Sequence, residues 1–121
     1  MLGFTTDPQI DDVELTVSPS AISLGDTIEL SATIGSTAGV SQKLVVDFVI
    51  HHVNASGATS PKVFKWTTID LAPGEKRTLA KRRRIATAST RRYHRGTHRV
   101  ELQVAGTVVA ESSFELRESS D

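Results

Sequence analysis

The sequence predicts an all-β chain, folded as an antiparallel two-sheet sandwich of about seven strands. Three observations carry that expectation. Apolar and polar residues alternate with period two along most of the chain. Turn signals recur at intervals of about 8–12 residues. No segment shows the spacing of an amphipathic helix.

Val13, Leu15 and Val17 share one face of a first strand, which Ser18-Pro19 ends. Leu24-Gly25-Asp26 turns the chain. Ile28, Leu30, Ala32 and Ile34 then alternate with Thr27, Glu29, Ser31 and Thr33. Gly35 to Gly39 is a small-residue loop. The longest strand runs from about Lys43 to Val53 and is apolar on both faces, which places it centrally. After the turn at Asn54 to Gly57, Lys62 to Leu71 returns with Phe64 and Trp66 on one face. In Ala72-Pro73-Gly74-Glu75, proline fixes φ and glycine accepts positive φ. The next strand starts at Lys76 and carries Leu79. Its inward parity then reaches Lys81 and Arg83 before Ile85. A core rejects two unpaired cations, so this strand leaves the core, bulges or runs along an edge.

Ala86 to Gly96 reads as a long loop. His98, Val100, Leu102 and Val104 alternate with Arg99, Glu101 and Gln103. Ala105-Gly106 closes a hairpin, and Val108, Ala110, Ser112, Phe114 and Leu116 return. The style is that of immunoglobulin or fibronectin III sandwiches, in which Tyr93 holds a position often taken by a corner tyrosine. The expected core is Val13, Leu15, Ile28, Leu30, Val46, Phe48, Ile50, Trp66, Leu79, Val100, Leu102, Val104 and Phe114. Residues 12–117 form the domain, 1–11 a flexible N-terminal segment and 118–121 a flexible tail.

The 121 residues suit one domain with one core. Cysteine is absent, which excludes disulfides and thiolate metal sites and fits a reducing cytosol. There is no apolar run long enough for a transmembrane helix, and residues 1–12 lack the pattern of a secretory signal.

The charge is unevenly placed. Fourteen cations balance fourteen acids. Ten of the cations fall between Lys76 and Arg99: Lys76, Arg77, Lys81, Arg82, Arg83, Arg84, Arg91, Arg92, Arg95 and Arg99. That stretch contains no Asp or Glu. A neutral protein with one such segment turns one face toward a polyanion, and nucleic acid is the first candidate.

Lys81-Arg82-Arg83-Arg84 reads in two ways. On a strand, alternation prevents four charges from sharing one flat surface, but an edge strand or its exit presents three to phosphate. The plainer reading is an edge guarded by charge against aggregation. Arg91, Arg92 and Arg95 suit phosphate or a narrow minor groove. Tyr93 either packs as a corner tyrosine or stacks on a base. Thr90, Gly96 and Thr97 stand where backbone and hydroxyl groups reach phosphate. Trp66 and Phe64 read as core, or else as an aromatic interface. His51 and His52 are adjacent on a strand and point oppositely, so they do not share a metal, and no zinc-module spacing occurs. His98 has inward parity at a strand start, where it can bond to the preceding loop.

Three segments resemble one family together: Lys43 to Trp66, "LAPGEKRTLAKRR" (Leu71 to Arg83) and "TRRYHRGTHRVELQVAG" (Thr90 to Gly106). They are similar to the C-terminal immunoglobulin-like domain of AlkC-class (HEAT-like repeat) bacterial DNA alkylation repair proteins. The resemblance covers roughly Val13 to Leu116, and its most specific piece is Thr90 to His98. Two positions depart from the family pattern, where proline usually precedes Gly96 and asparagine usually precedes Gly106. Here they are Arg95 and Ala105.

The resemblance implies a non-catalytic accessory domain that grips duplex DNA near a lesion with a basic loop. It implies a linked HEAT-like repeat domain carrying the glycosylase chemistry, no cofactor, and a bacterial cytoplasmic location. The expected DNA-binding residues are Lys81, Arg82, Arg83, Arg84, Thr90, Arg91, Arg92, Tyr93, His94 and Arg95. The alternative is a protein-interaction module whose basic stretch binds an acidic protein. Convergence of the two basic runs on one surface favours DNA; scatter over both sheets favours the alternative.

Overall fold

The computed structural model describes residues 7–54, 56–85 and 94–117. Eight strands form two sheets: β1 (Ile10–Ser18), β2 (Ala21–Ser23), β3 (Thr27–Ser36), β4 (Gln42–Val53), β5 (Thr59–Leu71), β6 (Lys76–Arg84), β7 (Gly96–Val104) and β8 (Thr107–Arg117). One sheet has the order β1-β3-β6, the other β2-β8-β7-β4-β5. Among the described residues there is no helix.

The sheets meet along two sides. On one side the chain itself crosses over. Ser18 to Ser20 carries it from β1 in the small sheet to β2 in the large one, where Ala21 to Ser23 pairs in parallel with Glu115 to Arg117. Glu115 N–H donates to the Ser20 carbonyl at 2.7 Å, which fastens the crossing. On the other side β5 and β6 are both edges, joined by the turn at 72–75. There Glu75 N–H donates to the Ala72 carbonyl at 3.0 Å, and Gly74 takes φ 72°.

The core lies between the sheets. Leu15, Ile28, Leu30, Val46, Phe48, Ile50, Val100, Leu102, Val104 and Phe114 are buried, as alternation predicts. Val13, Trp66 and Leu79 are only partly buried, because they lie toward sheet edges. Val17, Ile22, Ala32, Ile34, Leu44, Ile69, Leu71, Ile85 and Leu116 complete the core. The N-terminal tie begins ahead of Asp12. Strand β1 starts at Ile10, and the Gln42 side chain brackets Gln9, accepting its N–H at 2.9 Å and donating to its carbonyl at 3.1 Å.

Candidate nucleic-acid interface

Strand β6 is the outer strand of the small sheet and pairs only with β3, from Lys76↔Gly35 to Arg84↔Thr27. The run at Lys81 thus lies along an edge, one of the three outcomes its parity allows. Alternation divides it. Arg82 and Arg84 are exposed, whereas Lys81 and Arg83 turn inward and are half-buried. Two cations, not three, reach the outer surface.

The first half of β6 is electrically matched. Lys76 Nζ sits 3.6 Å from Asp12, and Arg77 donates to Glu75 at 2.8 Å and to the Asp70 carbonyl at 3.0 Å. Glu75 also accepts the Ala72 N–H at 2.8 Å. That bond first, and Arg77 second, hold its carboxyl below the ordinary carboxylate value. Arg99 on β7 is matched too, lying 3.6 Å from Glu101, which pairs with His51 at 2.9 Å.

The second half is not. Arg82 meets its cross-strand partner Glu29 only at 3.7 Å, with the two side chains 81% and 50% exposed. So loose a surface pair contributes little. Arg84 donates Nε to the Gly25 carbonyl at 3.2 Å. Arg83 lays its guanidinium 3.8 Å from the Phe64 ring centroid.

Strand β6 delivers the chain to one end of the sandwich. Gly25 N–H donates to the Ile85 carbonyl at 2.7 Å, and Ile85 N–H donates to Asp26 at 2.9 Å, which extends the β3–β6 ladder into the turn. Asp26 Oδ2 accepts the Ser23 N–H. Ser23 pairs with Arg117, and Leu116 pairs with Gly96. Arg95, Gly96, Glu115, Leu116 and Arg117 line a shallow groove there. The described parts of both basic runs, Arg84 and Arg95, thus reach the same end, joined by Arg117. Gly96 is required at this point. Its φ is 135°, and a Cβ would meet Val53 Cγ2 at 3.3 Å.

Three acids near this end have partners among the described residues. Glu115 accepts from the Thr97 hydroxyl at 2.7 Å, Asp26 caps Ser23, and Glu29 faces Arg82. Beneath lies His98, fully buried, with Nδ1 3.2 Å from the Gly96 carbonyl and its ring stacked on Phe114. Burial pushes its pKa below 6.5, against the Gly96 carbonyl and Glu115, which raise it. His51 and His52 occupy opposite faces, the first against Glu101 and the second against Phe64 and His98. Among the described residues, no three metal-ligating side chains cluster.

Of the expected contact residues, Lys81, Arg82, Arg83, Arg84, His94 and Arg95 are placed. Thr90, Arg91, Arg92 and Tyr93 lie outside the described residues. Arg117 was not anticipated. Its neighbourhood depends on the three-residue parallel pairing of β2 with β8, too short to leave a periodic signal.

Residues 11–118 match the family described as "Uncharacterised protein YhaZ, C-terminal Ig-like domain". The chain belongs to this YhaZ C-terminal Ig-like family. YhaZ of Bacillus subtilis (strain 168) is 26% identical over 116 residues, covering 96% of this chain and 32% of the relative. The solved structure of Pseudomonas fluorescens alkylpurine DNA glycosylase AlkC, bound to DNA containing an abasic site analog, superposes with TM-score 0.85 at 35% identity. It covers 93% of this chain and 31% of that one. The chain therefore spans about a third of the length of both relatives. A β-glucosidase from Listeria innocua matches at TM-score 0.67 and 19% identity over 89% of this chain and 16% of its own, a likeness of fold alone.

Proposed function

We propose that this chain is the non-catalytic DNA-binding domain of a DNA alkylation repair protein, and that it holds duplex DNA by phosphate contacts at its basic end. The observation that carries this reading is the likeness, at 35% identity over 93% of the chain, to part of a glycosylase solved on DNA. The charge geometry supports it. Arg82, Arg84, Arg95 and Arg117 border one end, where Asp26 accepts from a backbone N–H and Glu115 from a hydroxyl. Arg91 and Arg92 precede Arg95 in the sequence.

Arginines at strand ends and in loops position a protein on phosphate or in a narrow minor groove, and no helix among the described residues offers readout of the major groove. The base-release chemistry belongs to a linked HEAT-like repeat domain in the parent protein, which works in the bacterial cytoplasm.

Fluorescence anisotropy with two unrelated duplexes tests the reading. The 121-residue chain should bind both in the non-specific range, roughly 10⁻⁴–10⁻⁶ M at physiological salt. An alkylated duplex should lose no base in its presence. Absence of binding at low salt, or base release above a no-protein control, contradicts the reading.

A further inference from the structure

On one side of the sandwich, β5 and β6 are edges of different sheets. No backbone ladder joins these two edges. Near the turn, Arg77 spans the gap to the Asp70 carbonyl. Farther out, Arg83 of β6 meets Phe64 of β5; Lys62 and Lys81 share their inward parity, Lys62 opposite Ile50 and Lys81 opposite Leu30. Residues 59–69 and 76–85 include no Asp or Glu. Among the described residues no carboxylate pairs with Lys62, Lys81 or Arg83.

The planes in this seam are ordered. Phe64 stacks on buried Phe48, centroids 5.1 Å apart and 18° from parallel. The Arg83 guanidinium lies over the Phe64 ring at 3.8 Å. The stack thus includes a planar cation, with Trp66 packed edge-on to Phe48 at 5.9 Å. Arg83 Nε is buried and meets no acceptor among the described residues. Guanidinium and aromatic planes are the surfaces on which unpaired bases stack, while lysines beside them follow the backbone. A duplex offers no base faces to such a seam.

We propose that the β5–β6 seam binds single-stranded nucleic acid, with an unpaired base on the Arg83 plane beside Trp66 and phosphates on Lys62 and Lys81. This rests on the reading of the chain as a nucleic-acid binder but uses a different surface from the basic end. An acidic peptide matches the charge of the seam and leaves its planes unused.

Trp66 is the only tryptophan of the chain, so its emission reports on the seam directly. Oligothymidylate should quench it saturably, and a duplex of equal length should not. Arg83→Lys keeps the charge and removes the plane. It should weaken oligothymidylate binding about tenfold and leave duplex affinity unchanged. Lys62→Ala with Lys81→Ala, neither of them fully buried, should weaken oligothymidylate binding without altering the unbound emission. Should Arg83→Lys lower the unfolding midpoint, this pair decides the matter. Unquenched Trp66, equal quenching by polyglutamate, or equal losses on single strand and duplex overturns the proposal. The first two can occur with duplex binding intact, and the third requires that the unaltered chain bind duplex, so each leaves the proposed function standing.

Discussion

The two halves of β6 carry the same kind of side chain in opposite circumstances. Lys76 and Arg77 sit against Asp12, Glu75 and a carbonyl. From Lys81 to Arg84, only Arg82 has a carboxylate among the described residues, at 3.7 Å and largely in solvent. A strand needs no cations to pair its backbone, so the matched half uses charge to fasten a turn and the unmatched half holds it available. Local charge density misleads here. Lys76, Arg77 and Arg99 belong to the acid-free stretch, yet folding supplies each with an acid from outside or beside it.

The largest effect should come from beneath the unmatched half. Phe48→Ala removes the ring under Phe64 and should cost about 3–5 kcal/mol in urea denaturation. Next, Arg84→Ala with Arg95→Ala should weaken binding to unrelated duplexes alike, by about tenfold, with little change in unfolding midpoint. Lys76→Ala with Arg77→Ala should do the reverse, leaving binding intact and lowering stability by about 1 kcal/mol or less. Equal binding losses from the two pairs would erase the distinction between the halves.

Acid should act on the basic end through His98. Its folded pKa is depressed, chiefly by burial, with His94 adding to the effect and Glu115 opposing it. Below pH 6.5 the unfolded chain takes up a proton that the folded chain refuses, so stability is complete above that value and falls as pH drops through the folded pKa. Urea midpoints measured above and below it should separate, and His98→Phe, which keeps the stack on Phe114, should reduce the separation. The smallest effect should be at the far hairpin. Ala105 has φ 53°, a left-handed conformation that asparagine tolerates better. Ala105→Asn should stabilise by up to about 1 kcal/mol and leave binding unchanged, measured by the same denaturation and anisotropy.

Strand positions and turns were legible because period-two burial and the residues Ala72 to Glu75 and Ala105-Gly106 act locally. That β6 departs from a core strand was legible from Lys81 and Arg83 at inward parity; which of the three outcomes, an edge, required the structure. The partition of strands between sheets was not. It depends on the crossing at Ser18 to Ser20 and on β2, three residues in parallel with β8. The register shift opposite Val46 and Asp47, where Trp66 is the extra residue of β5, also has no local signal. Nor did the sequence show that Glu29 would face Arg82, since cross-strand neighbours come from register. Of the site itself, the identity of the cations was readable, and their division into outward Arg82 and Arg84 and inward Lys81 and Arg83 required the structure.

The central claim is that the cations of the basic end meet phosphate. Duplex affinity measured across a series of salt concentrations tests it most directly. With ~3–5 phosphates neutralised, log K against log salt should have a slope of about −3 to −5, and Arg84→Ala with Arg95→Ala should make it shallower by nearly 2. Lys43→Ala, outside the basic runs, should leave the slope where it was. A flat salt dependence, or a slope that Lys43→Ala changes as much as the arginine pair does, contradicts the account.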